Sequence, residues 1–156
     1  MPTANESKLQ VLKYDQATYE KGSGAYKKIH LGTVIEYDEK GNVVWSWKSS
    51  DYFLSSDIEY YRNTAAFGNN VIDVHENAFY FDEQNKVVYV SFKKLNRILK
   101  ISYPDGKVLA VFGDHFDKNG QKINKNSFFC AQHFCFPLQN GNILIYNNNS
   151  CQPGAV

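Results

Sequence analysis

Apolar and β-branched residues alternate with polar ones in short runs along this chain, and turn-forming residues separate the runs. Alternation with period two, bounded by Gly, Asn and Asp, is the pattern of half-buried β-strands. Residues 33–37 (TVIEY) and 43–47 (VVWSW) predict two strands around a turn at 38–42 (DEKGN). Gly41 supplies the positive φ that such a tight hairpin needs. The same hairpin returns at 97–101 (RILKI), 102–107 (SYPDGK) and 108–112 (VLAVF), with Gly106 in the place of Gly41. A second hairpin type opens on a histidine. His75 leads an aromatic segment, a turn at 82–85 and a strand at 87–90. The type recurs from His133, through a turn at 139–142, into a strand at 143–146. Helical periodicity is nearly absent, and weaker alternation at 8–14 and 26–31 predicts short strands in a lead-in.

Two hairpin types that alternate make four strands per unit at a spacing of roughly 60 residues, which is the pattern of β-propeller blades. The expected fold is all-β, built of four-stranded propeller-type blades, about two to three of them. A lead-in over 1–31 precedes blades over 32–156, with a loop inserted at 48–70. A β-sandwich shares the short strands and glycine turns but does not account for the repeat. Propellers close with about 4 to 8 blades, so the ring is expected to need other copies, or blades from a longer parent chain, unless the blades form an open array. The insert at 48–70 carries Tyr52, Phe53, Tyr60 and Tyr61, enough aromatic residues to wall a pocket. A second insert, 114–126, is rich in Lys and Asn and predicts a plain surface excursion, with His115 at the surface.

Composition narrows the function classes. A chain of 156 residues, 43% hydrophobic and 15% aromatic, can bury one sizeable core. With 17 basic and 16 acidic residues the net charge is +1, and no basic block or groove is present, so nucleic acid is not an expected partner. No apolar run approaches the length that crosses a bilayer. Residues 1–10 lack the basic and apolar regions of a signal peptide, which fits a cytoplasmic chain or a mature or trimmed form. Cys130, Cys135 and Cys151 are expected as buried thiols on strands, with one disulfide, to Cys151, as the alternative. Cys130, His133 and Cys135 have no fourth ligand at zinc spacing, so no metal is expected.

The two histidines stand at equivalent places in the repeat and converge if the repeats surround an axis. Otherwise they are polar caps at strand starts. The motifs HENA (75–78), SFK (91–93), DGKVLAVFG (105–113), QH (132–133) and GNILIYNN (141–148) follow in order. This order resembles that of the PAPS-independent arylsulfotransferases, which are propeller enzymes, and residues 33–47 resemble the blade that precedes their H-x-N segment. The resemblance implies transfer of a sulfuryl group from a phenolic sulfate to another phenol through a sulfohistidine, without a cofactor, in an exported or periplasmic protein. It places the nucleophile at His133 and the H-x-N histidine at His75. Lys93 falls where the family has an arginine that helps hold the sulfate. Lysine keeps the charge but not the planar fork that grips an oxyanion with two hydrogen bonds. Arg97, four residues on, is the candidate substitute, while Asn77, Tyr60 and Tyr61 are candidate substrate contacts. Asn77 and Gln132 are also expected to orient the imidazoles or fill turn positions. Asn147-Asn148 replaces a terminal Asp-Asn of the family, and His30 is the candidate for a further family histidine. The chemistry asks for a nucleophile, donors to the non-bridging oxygens and an acid for the leaving phenolate. The alternative is a non-catalytic propeller segment that binds a small aromatic or anionic ligand, or a protein.

Overall fold

The computed structural model describes residues 8–21, 25–53, 71–117, 121–123 and 128–151. Ten strands follow in chain order: β1 (Lys8–Lys21), β2 (Ala25–Tyr37), β3 (Val43–Lys48), β4 (Val71–Asp73) and β5 (Glu76–Asp82), then β6 (Val87–Phe92), β7 (Arg97–Ser102), β8 (Val108–Gly113), β9 (His133–Pro137) and β10 (Ile143–Tyr146). Only two short 3-10 turns, Ser49–Asp51 and Lys93–Leu95, are helical among the described residues. None of these is long or apolar enough to cross a membrane. The short strands expected at 26–31 and 33–37 are one strand, with no break at residue 31. β1 pairs with it from Lys8↔Tyr37 to Lys21↔Ala25, and a bulge at Lys13/Asp15 takes up the slip in register.

The fold is all-β, with propeller-type blades. β5-β6-β7-β8 form an antiparallel four-stranded meander, β1-β2-β3 a neighbouring sheet with β4 added in parallel beside β2, and β9-β10 a two-stranded sheet. The histidine-led hairpins are therefore β5-β6 and β9-β10, and the glycine hairpins are β2-β3 and β7-β8. Gly41 (φ 83°) and Gly106 (φ 71°) occupy matching turns. Their N–H groups donate to Asp38 O at 3.0 Å and Ser102 O at 2.9 Å.

The central sheet is buried on both faces, which is why β6 reads as an unbroken apolar run rather than an alternating one. One face (Val88, Val90, Leu99, Ile101) packs with Val34, Trp47, Phe53 and Val74. The other (Val87, Tyr89, Ile98) packs with Phe129, Cys135 and the half-buried Ile143 and Ile145. Each such side chain contributes about 1.5–3 kcal/mol relative to exposure. Polar bonds fix the first contact. Trp45 Nε1 donates to Pro104 O (2.7 Å), Trp47 Nε1 to Gly106 O (3.0 Å) and Tyr103 OH to Glu36 (2.7 Å). The hydrogen bond to Glu36, with burial, pushes the Tyr103 phenol up to about 12.

The insert at 114–126 is not a plain excursion. Asp114 and Phe116 are buried, Phe116 within the first core, and Lys122 Nζ reaches Asp114 Oδ1 at 2.6 Å. The polar composition of the insert hid one aromatic anchor and one paired carboxylate. His115 is half-buried rather than fully at the surface.

Candidate active site

Strand register gathers the motif residues at one end of the blades. Glu76 lies beside Phe92, Phe92 beside Arg97, and Arg97 beside Gly113. Four non-glycine residues here hold positive φ: His75 (57°), Asn96 (47°), Ala131 (50°) and Phe134 (65°). Such conformations persist only where the surroundings over-determine them, and they cluster at functional sites.

His75 follows Asp73, which β4 anchors on β2 in register with His30. Asp73 Oδ1 accepts the His75 N–H at 2.8 Å, and Asp73 Oδ2 lies 3.6 Å from His75 Nδ1. The His75 carbonyl accepts the Lys93 N–H at 3.0 Å. The H-x-N and S-x-K segments are thus joined through their backbones, with both side chains half-buried.

Gln132 ties the second histidine to the first. It is fully buried, and its Nε2 donates to Ser91 Oγ (3.1 Å), Phe92 O (3.2 Å) and Arg97 O (3.1 Å). Its own carbonyl accepts Asn77 Nδ2 at 2.6 Å. Asn77 Oδ1 and Gln132 Oε1 are buried with no hydrogen-bond partner among the described residues. His133, half-exposed, follows at the start of β9 opposite Tyr146.

The segment before His133 is held from two sides. Ala131 N–H donates to Asn96 Oδ1 (2.8 Å), and Ala131 O accepts Asn148 Nδ2 (2.7 Å). Asn147 Oδ1 accepts both Cys130 N–H and Asn149 N–H at 3.0 Å. An aspartate would accept the same two bonds, so the Asn147 departure from the family pattern keeps the structural contact. Cys130 is bridged to Cys151, so the expectation of buried thiols holds for Cys135 alone. Burial pushes that thiol up to about 12. The alternative, one disulfide to Cys151, is the arrangement found, with Cys130 as its partner.

Arg97 is 0% exposed. Its Nε donates to Asp114 O, and its guanidinium lies 5.3 Å from the Phe53 ring centre and 5.7 Å from that of Phe116. Its charge lies close to both rings. Tyr60 and Tyr61 lie outside the described residues.

Glu76, between the two motif residues, points away from them. Its Oε1 accepts Gly32 N–H (2.6 Å) and Ser49 Oγ–H (2.9 Å). Burial raises its carboxyl above the ordinary 4.5, against the lowering effect of these bonds. An acid raised in the folded state stabilises the fold below its ordinary pKa and loses that contribution as pH rises through the raised one. Glu76→Gln keeps an acceptor oxygen for Gly32 and Ser49. Its stability relative to the native chain should therefore increase as pH climbs above 4.5. Urea unfolding over a pH series measures this, and a difference flat with pH contradicts it.

A model of the family described as arylsulfotransferase (ASST) matches residues 6–154, nearly the whole chain. The chain belongs to the arylsulfotransferase family. No curated protein and no solved structure matches it. Membership carries an arylsulfotransferase-like function with phenolic substrates at the level of the family. In this arylsulfotransferase-family chain, the segments bearing His75, Asn77, Lys93 and His133 are joined by hydrogen bonds, while Arg97 lies beneath Phe53. Asp73, Glu76, Asn96 and Asp114 escaped the sequence reading. Of these, only Asp73 carried a usable signal, a carboxylate two residues before a histidine. Among the described residues, no group of three or more His, Cys, Asp or Glu side chains is placed to hold a metal ion.

Proposed function

We propose that this chain transfers a sulfuryl group from a phenolic sulfate ester to a phenol through a sulfohistidine at His133. The supporting observation is the bonding of the H-x-N, S-x-K and Q-H segments to one another through Asn77, Lys93 and Gln132. A nitrogen of His133 attacks sulfur, the bond from sulfur to the aryl oxygen breaks, and His75 protonates the departing phenolate. The acceptor phenol then attacks the sulfur, gives its proton to His75, and the N–S bond breaks. Lys93 holds the non-bridging oxygens and Asn77 contacts the substrate or holds Gln132, with Tyr60 and Tyr61 retained as candidate substrate contacts. Arg97 adds positive charge from beneath Phe53.

Completion of the ring by other copies, or by blades of a longer parent chain, belongs to the same proposal. In its support, β9-β10 is a two-stranded sheet that leaves Phe134, Leu144 and Tyr146 exposed. The Cys130–Cys151 bridge supports an oxidising compartment.

The test is incubation with a chromogenic aryl sulfate and a phenol acceptor. Lys93→Ala should slow turnover about 10²–10³-fold, the loss typical of one transition-state donor. Lys93→Arg should keep or raise the rate, because a guanidinium contacts the oxyanion with two parallel bonds. The lysine at this position favours the alternative, a segment that binds aromatic or anionic ligands without turning them over. Binding of the sulfate without release of phenol would support that alternative and overturn the transfer reading.

A further inference from the structure

We infer that Asp73 is the positioning residue of His75, fixing the imidazole with Nδ1 toward the carboxylate and Nε2 toward the substrate oxygen. The inference rests on the transfer reading above. One carboxylate meets one residue twice, with Oδ1 on the His75 N–H at 2.8 Å and Oδ2 3.6 Å from Nδ1. Backbone and ring of His75 are therefore referenced to the same group. That group sits on a firm mount: β4 pairs with β2, and the next residue, Val74, is fully buried and donates its N–H to His30 O. The residue adjacent to His75 also has a carboxyl, but Glu76 is turned to Gly32 on β2 and to Ser49 in the turn after β3. Of these two neighbouring carboxylates, Asp73 is the one that faces the ring. Contacts of this kind are often long without substrate and tighten when the reacting group is bound.

The pairing suits both halves of the proposed cycle. A carboxylate at Nδ1 selects the neutral tautomer with its proton on Nδ1. In the first half the imidazolium carries protons on both nitrogens and gives the one on Nε2 to the departing phenolate oxygen. The ring left behind is the tautomer that Asp73 favours, with a free pair on Nε2. In the second half that pair takes the proton of the acceptor phenol and restores the imidazolium. No other proton donor or acceptor is required.

A simpler role for Asp73 is to cap the His75 N–H and hold its positive φ. Asp73→Asn separates the two, because the amide oxygen still accepts that N–H while the charge is lost. The experiment has two arms on the full chain. The first is nitrogen NMR of the His75 ring. The native protein should show the neutral ring protonated on Nδ1, and Asp73→Asn should shift it toward the Nε2-protonated form. The second compares phenyl sulfate, whose leaving group needs an acid, with para-nitrophenyl sulfate, whose leaving group needs little. Asp73→Asn should slow the first about 10²-fold, within the range of general acid catalysis, and the second less than about threefold. An Nε2-protonated His75 in the native chain, or equal losses with both donors, would overturn the inference. If the native chain turns over neither donor, the transfer reading fails alone and the NMR arm still decides the role of Asp73.

Discussion

Replacing His133 with alanine is expected to abolish aryl sulfate turnover, a loss on the order of 10⁵–10⁶-fold, as when a covalent nucleophile is removed from other enzymes. The loss should be this large because the neighbouring motif side chains among the described residues are engaged elsewhere. Gln132 is committed to Ser91, Phe92 and Arg97, and His75 is referenced to Asp73. The fold should survive, since His133 is half-exposed at a strand start and belongs to neither core cluster. His75→Ala should cost far less with para-nitrophenyl sulfate than with phenyl sulfate, because the acid matters most for a poor leaving group. Release of phenol, followed by absorbance for each variant, distinguishes the two roles. Equal losses for both variants and both donors would remove the distinction between nucleophile and acid.

The second large effect concerns the frame. Gly113→Ala is expected to destabilise the chain by about 3–5 kcal/mol, combining a positive-φ penalty with overpacking. Gly113 holds φ +89°, and a Cβ there would stand 2.0 Å from Asn96 O and 2.8 Å from the Phe129 ring. The carbonyl cannot retreat freely, because it accepts the Asp114 N–H at 2.9 Å. The same asparagine accepts the Ala131 N–H through its side chain, so the strain passes to the segment that carries His133. Urea unfolding should show a lowered midpoint. A change below about 1 kcal/mol would mean that Asn96 yields at little cost.

Much of the fold was legible because the two hairpin types differ in their turn chemistry. Gly41 and Gly106 marked one type, and the histidine-led aromatic segments marked the other. The order of motifs pointed to the family before any geometry was known. What stayed hidden was set by tertiary approach rather than by local pattern. Asp114 and Phe116 looked like surface because their neighbours are polar, yet both are buried. The burial of Arg97, with its Nε on Asp114 O and its guanidinium beside Phe53, was not visible in the spacing either. A disulfide to Cys151 was the sequence's alternative, but spacing along the chain did not single out Cys130 as its partner. Asn147 read as a lost acid, although the contacts it makes need only an acceptor oxygen.

The most direct test of the account is mass spectrometry of the chain after brief exposure to an aryl sulfate without an acceptor. Transfer through His133 predicts one added SO₃ group, labile to acid and stable to base, on the peptide that contains His133, and its disappearance when a phenol is added. A chain that releases phenol while carrying no adduct, or an adduct that persists in His133→Ala, would contradict it.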